Sequence, residues 1–217
     1  MRKIDKSTIL SKVYKQWEEQ LEASASKHPK YTSSNFRYFD DIKMNLFHCQ
    51  NGLCAYTEKR LCPEGYGSEN WNDGRYTSNI PDSIGHLEHF DESLKVNKAW
   101  LWDNLFMVLE KVNDQKSNDP INNILKPDHH EYDENALLAY NHEEHIFFAN
   151  VDNPNLTEDQ RKSIDKMIIT LGINKVKSFR KQYILSKIFI LQKGFPHEPI
   201  TEYPTAFEMT KRNLGLV

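Results

Sequence analysis

Apolar residues along the chain fall into helical spacing at both ends and lose it in the middle. Leu10, Val13, Trp17 and Leu21 recur at intervals of three and four, so residues 7–24 are expected to form an amphipathic helix. The stretch SASKHPKYTSSN (24–35) is polar and broken by proline, and reads as loop. Residues 36–48 hold apolar side chains at mixed spacing and are assigned to a second helix. From Cys49 to Trp102 the chain is rich in glycine, asparagine and aspartate, with CAYT (54–57) and IGHLEHF (84–90) as short strands between long loops. Leu105, Val108, Leu109 and Val112 make one stripe, which predicts a helix over 105–113.

Residues 114–155 are again polar and irregular, with a short strand expected at HIFFANV (145–151). Thr157 and Gln160 form a capping box ahead of Ile164, Met167, Ile168 and Leu171, and Gly172 stops that helix. A last helix is expected over 174–192, carrying Val176, Phe179, Tyr183, Ile188 and Leu191. The sum is an α+β chain read as one unit over 1–217. It has a helical region (1–48), a loop-rich centre (49–118) and an irregular segment with C-terminal helices (119–217).

Composition narrows the function. The chain is 38% hydrophobic and 27% charged, values of a globular protein rather than a disordered one. It contains no apolar run of about 18 residues, and MRKIDKSTIL lacks the apolar core of a signal peptide, so a cytoplasmic protein with no membrane partner is expected. In that setting Cys49, Cys54 and Cys62 are expected as free thiols. The net charge of −3 lacks the basic excess of a free-standing DNA binder; any nucleic-acid contact needs cations clustered locally or supplied by a partner.

Three pieces of the centre carry chemistry. GHLEHF brings Glu88 beside His89, WDNLF brings Asn104, and VNDQK brings Asn113 and Lys116. Phosphodiester hydrolysis needs a hard cation on the phosphate, and such an ion takes oxygen ligands while keeping several waters. Glu88 and Asn113 can supply one carboxylate and one amide oxygen. A histidine, with an ordinary pKa of about 6.5, suits activation of water. Neighbours on a strand point to opposite faces, so Glu88 and His89 can share a site only at a strand end or a bulge. Asn104, at an expected loop-to-helix junction, would brace the loop presenting His89.

Taken in order, NGLCAYTEKRL, LEHF, WDNL and VNDQK resemble the HNH endonucleases of the PtuB-like family, found in Septu antiphage systems and related retron systems. The resemblance runs from about Ile42 to Gln182. It implies a ββα-metal core embedded in flanking helices. It further implies His89 as general base, Asn104 as the central asparagine, Glu88 and Asn113 as ligands of Mg²⁺ or Mn²⁺, and Lys116 as a phosphate contact. DNA is the implied substrate and a PtuA-like ATPase the implied partner. The family's zinc knuckle has two CxxC pairs; here those four positions read Cys54, Thr57, Leu109 and Val112, so no structural zinc is expected. Glu92 stands where the family has proline.

A rival expectation is a non-catalytic interaction subunit that keeps the scaffold, motivated by the lost knuckle. Other groups are read as ordinary structure. The His142–His145 pair is taken as solvated loop, since zinc proteases space their histidines four apart. Asp91 and Glu92 are taken as solvated, and His86 as a structural or substrate-facing neighbour. Lys175, Lys177, Arg180 and Lys181 are taken as the solvated face of the last helix, and Trp100 and Trp102 as core anchors.

Overall fold

A computed structural model describes residues 1–32, 36–116, 121–196 and 199–216. Residues 33–35 of the expected first loop, and the last two residues of the 49–118 segment, lie outside these. The architecture is α+β, with three small antiparallel sheets of two strands each among helices in the described residues.

Helix α1 (Lys12–Ala23) starts without a cap from its own N-cap side chain, Ser11. The cap comes from a distant residue instead. Asn45 Oδ1 accepts from the amides of Leu10 and Ser11 and from the Ser11 hydroxyl, at 2.9, 3.1 and 2.8 Å. Asn45 lies on α2 (Phe39–Gln50), so the two helices are joined at the point where α1 would otherwise leave amides unpaired. α2 ends in a left-handed turn at Asn51 and Gly52. A Cβ on Gly52 would meet the Cys62 carbonyl at 2.2 Å, so only glycine fits there.

The first sheet, β1 (Trp71–Asn72) with β2 (Arg75–Tyr76), closes on Asp73-Gly74, both at positive φ. The second pairs β3 (Gly85–His89) with β4 (Leu105–Leu109), in register Glu88↔Phe106 and His89↔Leu105. Between them run a short helix, α3 (Lys95–Lys98), and irregular chain. β4 passes directly into α4 (Glu110–Lys116). Gln50 serves β4 as a stand-in strand: its amide donates to the Met107 carbonyl at 2.8 Å and accepts from the Met107 amide at 2.9 Å.

In the C-terminal half, α5 (Glu134–Leu137) leads into β5 (Leu138–Asn141), which pairs with β6 (Ile146–Ala149). α6 (Glu158–Thr170) carries the expected capping box, and Gly172 follows at φ 60°. α7 (Lys177–Gln192) and α8 (Pro204–Asn213) close the chain. Asn174 repeats the Gln50 device, bonding both the amide and the carbonyl of Phe147.

Several expectations give way. Residues 105–109 form a strand, with helix only from 110. Leu105, Phe106, Met107 and Val108 are all fully buried, and a strand covered on both faces reads as a continuous apolar run that mimics a helix stripe. Asn104 therefore precedes a strand and caps no helix. CAYT is a turn, closed by Cys54 N–H on the Lys59 carbonyl and by Glu58 at φ 60°. α7 is not the last helix, and Arg180 is no part of a solvated face. It is fully buried, donates to the carbonyls of His145 and Ile173, and lies 4.8 Å from the Phe147 ring centroid. Phe179, assigned to the apolar stripe, is 60% exposed. His145 is buried rather than solvated, hydrogen-bonded to the Tyr140 hydroxyl at 2.9 Å. Trp100 and Trp102 are buried core residues as expected, and Cys49, Cys54 and Cys62 are free thiols.

Burial, reinforced by Lys181 and Arg180, pushes His145 down from 6.5 to about 4. The unfolded chain therefore takes up this proton first. The stability contributed by neutral His145 is present above pH 6.5 and lost as pH falls toward 4. His145 sits at φ 58°, a conformation asparagine tolerates. His145→Asn should thus flatten the fall of the urea midpoint between those pH values; a variant curve parallel to the native one would remove His145 as a cause.

Candidate functional site

Glu88 and His89 are the last two residues of β3, and Asn113 lies on the helix that follows β4. All three line one cavity of about 350 Å³, together with Tyr31, Lys43, His86 and Lys95. The strand end lets two adjacent residues reach one space. A larger cavity, about 820 Å³, opens beside Lys3, Lys6, Lys126 and Asp128; its three lysines face Asp5, Asp103 and Asp128 and it lacks this convergence.

Glu88 is 2% exposed, and burial pushes its carboxyl upward despite the opposing pull of Lys116. The Lys116 ammonium donates to Glu88 Oε1 and to the His89 carbonyl, and the Tyr56 hydroxyl donates to Glu88 Oε2 at 2.5 Å. Lys116 is itself 3% exposed. The structure thus makes Lys116 the internal partner of Glu88 rather than the phosphate contact expected of it.

His89 has a defined tautomer. Its Nε2 lies 2.7 Å from the Ala99 carbonyl, which can only accept, so Nε2 carries the hydrogen and Nδ1 keeps the lone pair. Burial pushes the imidazole down to about 4, so it is neutral at neutral pH. The Tyr31 ring meets it edge-on at 4.9 Å.

Asn104 braces the next residues. Its Oδ1 accepts from the Asp91 amide at 2.7 Å, its Nδ2 donates to the Asp91 carbonyl at 2.9 Å, and its own carbonyl accepts from Phe90 N–H. Asn104 is buried, outside the cavity, and acts on the loop leaving His89. Asp91 is half-buried, with its carboxylate accepting from the Ser93 amide and hydroxyl, and Glu92 pairs with Lys95 at 2.7 Å. His86 is exposed and lines the cavity.

A Mg²⁺-like ion suits this donor set. Glu88 offers a carboxylate with a lone pair left on each oxygen, and Asn113 offers an amide with no hydrogen-bond partner among the described residues. Leu109 and Cys54, two of the four positions set against the zinc knuckle, meet, with Leu109 N–H donating to Cys54 Sγ at 3.4 Å.

Two residues escaped sequence reasoning. Tyr56 lies within NGLCAYTEKRL, but nothing local ties its hydroxyl to a glutamate 32 positions away. The Ala99 carbonyl is backbone and leaves no trace in residue type. Compared with protein families, curated proteins and solved structures, the chain gives no match.

Removing one member of a buried ion pair leaves the other uncompensated, at a cost of about 3–5 kcal/mol. Lys116→Met should lower unfolding stability by about 3 kcal/mol at neutral pH. In a Glu88→Gln background the same change should cost much less. Equal losses in both backgrounds, measured by urea denaturation, would show that the two side chains are not coupled.

Proposed function

We propose that the chain is a metal-dependent endonuclease of the HNH type, hydrolysing phosphodiester bonds in DNA. The observation that carries this reading is the convergence on one cavity of Glu88, Asn113 and a neutral His89, whose Nδ1 has no hydrogen-bond partner among the described residues. The antiparallel pair β3–β4 followed by α4 supports it, being the order of elements that a ββα-metal core requires.

Glu88 and Asn113 would hold a Mg²⁺ or Mn²⁺ ion, which when bound supplies charge neutralisation at the scissile phosphate. His89 takes the proton from the attacking water at Nδ1, and the Ala99 carbonyl steadies the imidazolium through Nε2–H. Lys116 and Tyr56 are positioning residues: they hold the Glu88 carboxylate and touch no substrate. Asn104 fixes the backbone after His89 and is likewise a positioning residue. The motif resemblance adds a PtuA-like ATPase as the partner of this activity in antiphage defence.

One observation favours a second reading, a non-catalytic subunit on the same scaffold: the charge of Glu88 is already answered inside the protein by Lys116. Plasmid cleavage separates the two. The native chain with Mg²⁺ or Mn²⁺ should nick plasmid DNA, alone or with its ATPase. His89→Ala should lower the rate by about 10²-fold or more, the scale of a lost general base. Absence of nicking by the native chain in both settings would favour the scaffold, and nicking that survives His89→Ala would remove His89 from the mechanism.

A further inference from the structure

The site cavity does not end at His89. Tyr31 and Lys95 also line a second cavity of about 360 Å³, whose remaining walls are Lys27, Lys30 and Val96. The two spaces adjoin at Tyr31 and Lys95, and together they make up a candidate groove. Along it stand four lysines, Lys27, Lys30, Lys43 and Lys95, against two carboxylates, Glu88 and Glu92. Glu88 is answered by Lys116 and Glu92 by Lys95. Lys27, Lys30 and Lys43 have no carboxylate partner among the described residues. In a chain of net charge −3, this surplus is local to the groove.

The loop carrying two of these lysines is fixed in place. His28, between them, is buried; its backbone N–H donates to the Asn97 carbonyl, and its Nδ1 accepts from the Trp100 amide at 3.1 Å. Trp100 Nε1 donates to the Pro29 carbonyl at 3.1 Å. The strip making these bonds, 97–100, contains Ala99, whose carbonyl orients His89. One strip of backbone therefore sets both the imidazole and the cations.

We infer that this groove is a track for the phosphodiester backbone of the substrate strand, with Lys27 and Lys30 holding phosphates beside the one at His89. The inference rests on the nucleolytic reading for the identity of the site, and supplies the local cations that the overall charge leaves missing.

Binding is measured by fluorescence anisotropy with EDTA present, so that no cleavage intervenes. The probe is a fluorescein-labelled DNA strand of about 20 nucleotides. Lys27→Gln with Lys30→Gln should weaken binding roughly tenfold and reduce the salt slope by about 1.4, two single-strand phosphate contacts. Both lysines are exposed, so folding should be preserved, and the double arginine variant should bind like the native chain. Native affinity and slope in the glutamine pair would overturn the track. Equal binding of the native chain to a methylphosphonate strand, which lacks the charges, would overturn it too. The two readings fail separately. Lysine-dependent binding without cleavage in Mg²⁺ or Mn²⁺, alone and with the ATPase, leaves the track standing and removes the nuclease. Cleavage with glutamine-pair binding unchanged does the reverse.

Discussion

A carboxylate buried at the end of a strand is the constraint around which the centre of this protein is built. Glu88 cannot stay charged at 2% exposure without partners, and the partners come from far along the chain. Lys116 reaches it from the end of α4 and Tyr56 from the turn after α2. Answering one charge therefore closes three segments onto each other. Lys116 also takes the carbonyl of His89, so the same ammonium fixes the backbone of the neighbouring functional residue. A well-packed apolar replacement for such a pair is often neutral or better for stability. Stability alone does not explain a charge here, which turns attention to the cavity the carboxylate faces.

The second constraint is the irregular chain between β3 and β4. It is held by side chains in place of a ladder. Glu18 on α1 accepts from the Trp102 amide at 2.7 Å, Tyr14 donates to the Trp100 carbonyl, and Lys6 donates to the carbonyls of Trp102 and Leu105. Each satisfies a buried backbone group that would otherwise cost about 1–3 kcal/mol. Because the Ala99 carbonyl orients His89, this network transmits the position of α1 to the imidazole. A site resting on loop backbone gains the precision of one resting on regular structure only when every such group is tied down.

What was legible in the sequence was local chemistry. Thr157 and Gln160 cap α6 because a capping box is a contact of a few residues. The spacing of Glu88, His89 and Asn113 carried into one cavity, and the strand end demanded of the adjacent pair is where they lie. What was not legible were long-range partners. Leu105 to Val108 look helical because both faces of β4 are covered, and no single window shows what covers them. Arg180 looks like one more basic residue among Lys175, Lys177 and Lys181, yet it is buried against the His145 carbonyl 35 positions away. Lys116 and Tyr56 belong to the same class: polar residues whose role is set by a distant carboxylate.

The charge count of the site bears on how it would work under the proposed reading. Glu88 and Lys116 together contribute no net charge, and Asn113 contributes none. With neutral His89 the pocket offers a dication no net negative charge, since on its rim Lys95 answers Glu92 and Lys43 is left over. An ion entering alone would add two positive charges to a partly desolvated space, which costs heavily unless an anion arrives with it. On the nuclease reading the phosphodiester would be that anion. Ion and strand then favour each other's binding, and by linkage the coupling is reciprocal. A site with several uncommitted carboxylates would hold its ion without substrate; this one, with Glu88 shared with Lys116 and Glu92 with Lys95, would depend on the strand to complete it.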